Sequence, residues 1–344
     1  MTLLYELWYD MVLGGTYTKE IRKMHETYGP VVRISPDELH CNDAAFVDEI
    51  YAAAGRKRNK QAHNPHVLAG PTTNSAFGTI VHDQHRVRRY FPWVRGLVHV
   101  APFLAKYMTG DIGILMKEMY INTPNRIRQA REDHVAGRSE KTVDRLSGEG
   151  FSLTGAGTET TAWTLSVITF YVLSQPAIQA RLAEELKDTD PESLSWTTLE
   201  KLPHLSAVIS EGLRLSYGVS SRTSRVPRDE HLVYTGEVKG RGAVEYVIPK
   251  GTAIGMSAAI MHHNEEVFPN SDAFILERWL DEKGLKRPNI LAYCELYMTT
   301  AALALRVFPH MKLHGTMVED VKYDHDLITA QAKKGSKGVQ VVMC

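Results

Sequence analysis

Ala156-Gly157-Thr158-Glu159-Thr160-Thr161 stands inside the longest helical pattern of the chain, Thr142 to Ser174, and its reading decides the fold. The pattern ends before Pro176 and closes on a strongly apolar run, Trp163 to Leu173. At 1.5 Å per residue such a helix spans on the order of 45 Å, enough to cross a whole domain. A helix apolar on most sides, in a chain without other membrane signals, belongs at the centre of a helical core. The six quoted residues interrupt it. Gly157 costs up to about 1 kcal/mol relative to alanine, and the Thr160 hydroxyl can bond the carbonyl of Ala156 and open the turn. The result is a notch with a carboxylate and an alcohol beside it, suited to holding a small ligand such as dioxygen and passing protons to it. A polar helix junction is the bland alternative at this point.

Moving outward, Pro176 to Lys187 reads as a charged, amphipathic surface helix behind a proline break. Leu205 to Leu215 is a further helix, in which Glu211 and Arg214, three apart, meet on one face. Val208 and Leu215 flank that face, so the carboxylate sits in an apolar setting, where removal of its partner costs several kcal/mol. Phe274-Ile275-Leu276-Glu277-Arg278-Trp279 places an arginine between aromatic residues, a guanidinium held by stacking and hydrogen bonds. The neighbouring pair His262-His263 points in two directions and has no third ligand nearby, so structural histidines are favoured over a metal site. Tyr28 to Pro36 reads as a turn and a short strand, and Leu232 to Ala253 as short strands, with turns at Tyr234-Thr235-Gly236 and Val247 to Gly251. Asp43 to Ala54 reads as a capped helix, and Arg56 to Lys60 as a basic, solvated loop.

Bulk properties exclude several classes. The 344 residues carry 40 basic and 40 acidic side chains, which leaves no overall field to attract nucleic acid. Cys41, Cys294 and Cys344 are odd in number and far apart, against a disulfide framework or zinc site. Gly155-Ala156-Gly157 lacks the third glycine and the surrounding strand–helix–strand unit of a dinucleotide site. Met1 to Gly14 is too short and too charged to be a spanning helix. A monomer is the expected state.

Three of these motifs, in this order and spacing, resemble those of the cytochrome P-450 monooxygenases. Ala156 to Thr161 is similar to the oxygen-activation signature of the central helix, Glu211 and Arg214 to the Glu-x-x-Arg pair, and Phe274 to Trp279 to the Pro-Glu-Arg-Phe region. The resemblance implies a fold that is mainly α with a small β-sheet, built around the long central helix, and a single domain over 1–344. It implies haem as cofactor, an NADPH-dependent reductase as partner and oxidation of a small lipophilic secondary metabolite such as a terpenoid. By the same resemblance Glu159 and Thr160 are catalytic, and Ala156, Gly157, His85, Arg89 and Arg222 bind the cofactor. Glu211, Arg214 and Arg278 form a buried structural triad. The wording Asp37-Glu38-Leu39-His40 and Val219-Ser220-Ser221-Arg222 resembles the fungal secondary-metabolite branch, of trichodiene-oxygenase type.

Two internal departures stand against that pattern. After Trp279 the family has a Phe-x-x-Gly-x-Arg-x-Cys-x-Gly loop whose thiolate binds iron. Here Arg287-Pro288-Asn289 runs directly into Ile290 to Tyr297, which resembles the helix following that loop. Cys294 lies within this helical pattern and reads as a packing cysteine. After Arg89, Tyr90 to Val94 resembles a much later part of the family's helical half. The expectation is therefore a P-450 architecture with deletions after about residue 89 and about residue 288, impaired in haem binding. A non-catalytic remnant, or a protein that only binds others, is the alternative. The parent family sits on the endoplasmic reticulum membrane; without an anchor this chain is expected to be cytoplasmic or peripheral.

Overall fold

A computed structural model describes residues 3–51, 56, 58–60, 125, 128, 157, 160–190, 194–220, 222–238, 240–281, 294–327 and 329–344. The chain separates into two compact units, Met1–Glu159 with Arg222–Met256, and Thr160–Ser221 with Ser257–Cys344.

The first unit is built on a mixed sheet. Helices α1 (Leu3–Leu7) and α2 (Tyr17–Tyr28) lead into β1 (Val31–Ser35) and β2 (Glu38–Cys41). After α3 (Val47–Tyr51) come β3 (Arg58–Lys60), β4 (Arg225–Pro227), the hairpin β5 (Leu232–Val238) and β6 (Gly242–Ile248), and β7 (Ala253–Gly255). The sheet order is β1-β2-β7-β4-β3, with β5 and β6 paired separately. The turn and strand expected over Tyr28 to Pro36 are present: Gly29 adopts φ 100°, and β1 pairs antiparallel with β2 from Val31↔Cys41.

Three local expectations are corrected here. The Asp43 helix begins as a 3-10 turn, Ala44–Phe46, capped by the Asp43 carboxylate on the Ala45 N–H, before α3. Arg58 to Lys60 is a strand and not a solvated loop: it pairs with β4, and the largely covered Arg58 side chain donates to the Glu49 carbonyl and the Glu230 carboxylate. Tyr234-Thr235-Gly236 lies inside β5, and the hairpin turns at Gly240 and Gly242, both at positive φ. Gly236 is glycine for a packing reason: an added Cβ would stand 2.1 Å from the Tyr234 hydroxyl.

The second unit is mainly helical. It contains α4 (residues 160–174), α5 (Pro176–Leu186), α6 (Trp196–Leu199), α7 (Pro203–Ser216), α8 (Ala258–Met261) and α9 (Cys294–Arg306). Two small ribbons follow: β8 (Met311–Leu313) with β11 (Val341–Met343), and β9 (His325–Leu327) with β10 (Thr329–Gln331). The part of the predicted central helix before residue 160 lies outside the described residues except for Gly157, which is helical. Val167, Ile168, Phe170 and Val172 of α4 are buried among residues of α5, α7 and α9, so this helix is central to the unit's core. Pro176 occupies the first turn of α5, and Ile178, Leu182 and Leu186 form its buried stripe, as the amphipathic pattern predicts. Among the described residues no helix is long and apolar enough to cross a membrane.

Helices α4 and α7 approach closely at Gly212 of α7, where an added Cβ would run into the Ile168 side chain. A helix-interior glycine costs about 1 kcal/mol in propensity, and the close approach explains its presence. Gly212→Ala is expected to destabilise the protein by about 1–3 kcal/mol despite the better propensity of alanine. Urea unfolding of Gly212→Ala, Ile168→Ala and the double variant checks this: the double variant should cost less than the two single changes together.

Candidate functional site

Helix α7 carries the most elaborate polar constellation. Pro203 presets its first turn, and the Glu185 carboxylate of α5 accepts from the backbone N–H groups of His204 and Leu205, both at 2.8 Å. That satisfies two amide donors which helix geometry leaves without partners. Burial raises the Glu185 pKa, and the two backbone N–H groups oppose that rise. The helix ends where Tyr217 turns left-handed (φ 63°) and returns its N–H to the Leu213 carbonyl. Because α7 is buried on nearly every side, any polar group on it must be satisfied within the protein.

Glu211 and Arg214 meet that requirement in full. Arg214 Nε and Nη2 donate to the two carboxylate oxygens of Glu211, each at 2.8 Å, in a fork-to-fork pair. Arg214 Nη1 donates to the carbonyls of His262 (2.8 Å) and Ser271 (2.7 Å), and Nη2 also donates to that of Ala273 (3.0 Å), so all five guanidinium hydrogens are used. The Phe268 ring lies 5.3 Å from the guanidinium carbon. Glu211 accepts in addition from the Ile275 N–H (2.9 Å), Arg278 Nε (3.4 Å) and Trp279 Nε1 (2.9 Å). Arg278 Nη2 donates to the Asn270 carbonyl. Glu211 is fully buried and Arg214 nearly so. The structure thus brings Glu211, Arg214 and Arg278 together and pins residues 262–279 onto α7. The Trp279 contact escapes sequence reasoning; its indole N–H one place after Arg278 was the available signal.

Along α4, Thr164 Oγ1 bonds the Thr160 carbonyl (3.0 Å) and Ser216 Oγ of α7 (2.8 Å). Ser166 bonds back to the Ala162 carbonyl in the same way. Both are back-bonds of the kind the sequence suggested for Thr160, placed four and six residues further along. Thr160 is half-buried, and Gly157 is exposed, with no atom within 4 Å of a Cβ placed on it. His85, Arg89, Ala156 and Glu159 lie outside the described residues. His262 and His263 hold structural contacts: His262 Nδ1 bonds the Arg214 carbonyl at 2.8 Å, and His263 Nε2 bonds the Tyr217 hydroxyl at 2.5 Å. Among the described residues no group of three or more potential ligands could hold a metal ion.

Arg222 belongs to the first unit and is engaged by the chain's own carboxylates. Its guanidinium bonds Glu6 of α1 and Glu38 of β2, the latter at 3.2 Å, and lies over the Tyr17 ring at 5.3 Å. Ser224 Oγ also donates to Glu38. Burial works against the charge on Arg222, but Glu38 and then Glu6 outweigh it and hold its pKa well above the usual arginine value.

The sulfur donors are three. Cys41 is wholly buried in β2, and burial pushes its thiol up to about 12. Cys344 is exposed after β11, and Cys294 is the first residue of α9. The sequence between Trp279 and Cys294 contains no other cysteine.

Residues 117–294, more than half of the chain, match the family model for cytochrome P450. A cytochrome P450 monooxygenase of Cochliobolus heterostrophus is 30% identical, with 99% of this chain and 90% of that protein covered. The chain belongs to the cytochrome P450 family. A P450 monooxygenase of Metarhizium rileyi is 35% identical over 83% of this chain and 72% of its own length. A tryptophan 6-hydroxylase of Fusarium equiseti is 29% identical over 100% of this chain and 90% of its own. These relatives are fungal P450 monooxygenases of secondary metabolism, and the fold is a P450 fold, mainly α with small sheets. The Cochliobolus alignment runs over 479 positions while this chain supplies at most 344, so at least 135 positions (479 less 344) face a gap in it. Those gaps lie inside the aligned stretch.

The P450 family implies a haem. Among the described residues the cysteines do not fit the thiolate-ligated form of that group. A protonated thiol buried in a paired strand and an exposed thiol after the final strand do not supply a loop thiolate, and Arg222 is already neutralised by carboxylates.

Proposed function

We propose that this chain is a fungal P450 monooxygenase-family protein that does not grip haem by sulfur and is impaired in, or free of, the family's oxygen chemistry. The observation that supports this most directly is the absence of any cysteine between Trp279 and Cys294. The 135 or more gapped positions support internal loss of family segments, which we place after about residue 89 and about residue 288 of a single P450 domain. In this reading Glu211, Arg214 and Arg278 serve as the structural triad, and Thr160 with Glu159 occupies the positions that would act on oxygen in the parent enzyme. His85, Arg89, Ala156, Gly157 and Arg222 are inherited cofactor positions without a thiolate to complete them. The parent activity would draw electrons from a reductase and oxidise a small, lipophilic secondary metabolite. The Fusarium relative is named a tryptophan 6-hydroxylase; a terpenoid is the substrate class we favour here.

Haem loading tests the proposal. Full-length chain expressed with haem precursor and passed through gel filtration is expected to carry far less than one haem per protein, measured as the pyridine haemochrome. One haem per chain that survives the column would contradict it.

A further inference from the structure

A second buried cluster, in the first unit, takes no part in the reading above. His25 lies in the last turn of α2 and His40 in the middle of β2, and their rings face each other with Nε2 of His25 2.7 Å from Nδ1 of His40. His25 Nδ1 is 2.8 Å from the Gly29 carbonyl. A carbonyl only accepts, so His25 carries its proton on Nδ1, and Nε2 is left as the acceptor for the Nδ1–H of His40. Each ring is thereby fixed in one neutral tautomer.

Protonation of either ring in place is opposed. A proton on His25 Nε2 would set two N–H groups against each other across 2.7 Å. One on His40 would bury a cation facing Arg222 inside a residue with no exposed surface. Arg222 brings Glu38 from β2, Glu6 and Asp10 from the N-terminal segment and Tyr17 from α2. On the strand side stand Cys41, Asp43 and Tyr234. β7, paired with β2, contributes no ionisable side chain; Arg33 of β1 and Arg22 and Glu26 of α2 point to solvent.

We propose that His25 and His40 form an acid-opened clasp that holds the C-terminal end of α2 on the β1–β2 hairpin. Burial, followed for His40 by His25 and Arg222, lowers both pKa values, that of His25 to about 4 against an ordinary 6.5. A histidine depressed in the folded state stabilises the fold fully above its unfolded pKa. That contribution is lost as pH falls from about 6.5 toward 4, because the open state takes up the protons.

The test is amide exchange of the full chain at pH 6 and pH 5, corrected for intrinsic exchange, together with nitrogen-15 spectra of the histidine rings. Between those two pH values the opening equilibrium of β1 and β2 is expected to shift about fifty-fold toward open, with both rings protonating on opening. In His25→Gln the shift should shrink to roughly seven-fold, one ring remaining. The ring spectra should show both histidines neutral at pH 5 in the closed protein, a readout that needs no variant. Ring titration near pH 6.5 with protection unchanged would overturn the clasp, as would an equally large shift in His25→Gln.

Discussion

Glu211→Ala is expected to cost the protein about 3–5 kcal/mol of stability, enough to leave much of it unfolded at ambient temperature. The size follows from what remains and not from what is removed. Arg214 stays buried on an enclosed helix with its two forked hydrogens facing an empty site, and Arg278, the Ile275 N–H and the Trp279 indole lose their acceptor. Glu211→Gln preserves the shape and one carbonyl acceptor but leaves two guanidinium groups without a counter-charge, so it should recover only part of the loss. Arg214→Lys is expected to fail for a complementary reason, since a lysine offers three hydrogens from one point in place of five in a planar fork. Chemical denaturation of the three variants checks this; a change below about 1 kcal/mol for Glu211→Ala would mean that the cluster is not the buried pin described above.

Arg222→Met should be comparably severe, at about 3–5 kcal/mol, because it strands the carboxylates of Glu6 and Glu38 in the interior of the first unit. The prediction separates two roles for this arginine. If its main work is to neutralise Glu6 and Glu38, then Arg222→Met combined with Glu6→Gln and Glu38→Gln should be more stable than Arg222→Met alone. If Arg222 instead waits for an anionic ligand, the single variant should fold nearly as well as the parent. Thermal unfolding of the single and triple variants distinguishes the outcomes.

What could be read from the sequence was whatever repeats at short range. Three-residue spacing on a helix brings Glu211 to Arg214, and flanking Val208 and Leu215 imply the burial that the structure shows. Pro176, Pro203 and Gly29 mark element boundaries through backbone restriction alone. The remaining features depend on partners distant in the chain. Trp279 reaches Glu211 across 68 positions, and Thr164 reaches Ser216 across 52. His25 and His40 meet only because a turn at Gly29 and a hairpin fold α2 back beside β2. Composition misled where a local rule lost to pairing: Arg58 sits in a basic run yet is drawn into a strand by Glu49 and Glu230, and Gly236 looks like a turn residue but makes room for the Tyr234 ring. The resemblance marks Arg222 as a cofactor position, and the carboxylates that engage it come from positions 6 and 38, far away in sequence.

The family shows in the scaffold, and the proposed departure from it lies in the sulfur. A P450 depends on one cysteine whose thiolate electronically pushes the iron, and the other levers on a haem act around that bond. Here the Glu211 cluster is complete while the sequence between Trp279 and Cys294 holds no cysteine. The most direct measurement is the absorption spectrum of the purified full chain after chemical reduction under carbon monoxide. The account predicts no Soret band of the thiolate–carbonyl type, whatever haem is supplied; a band of that type, at an intensity matching the protein concentration, would contradict it.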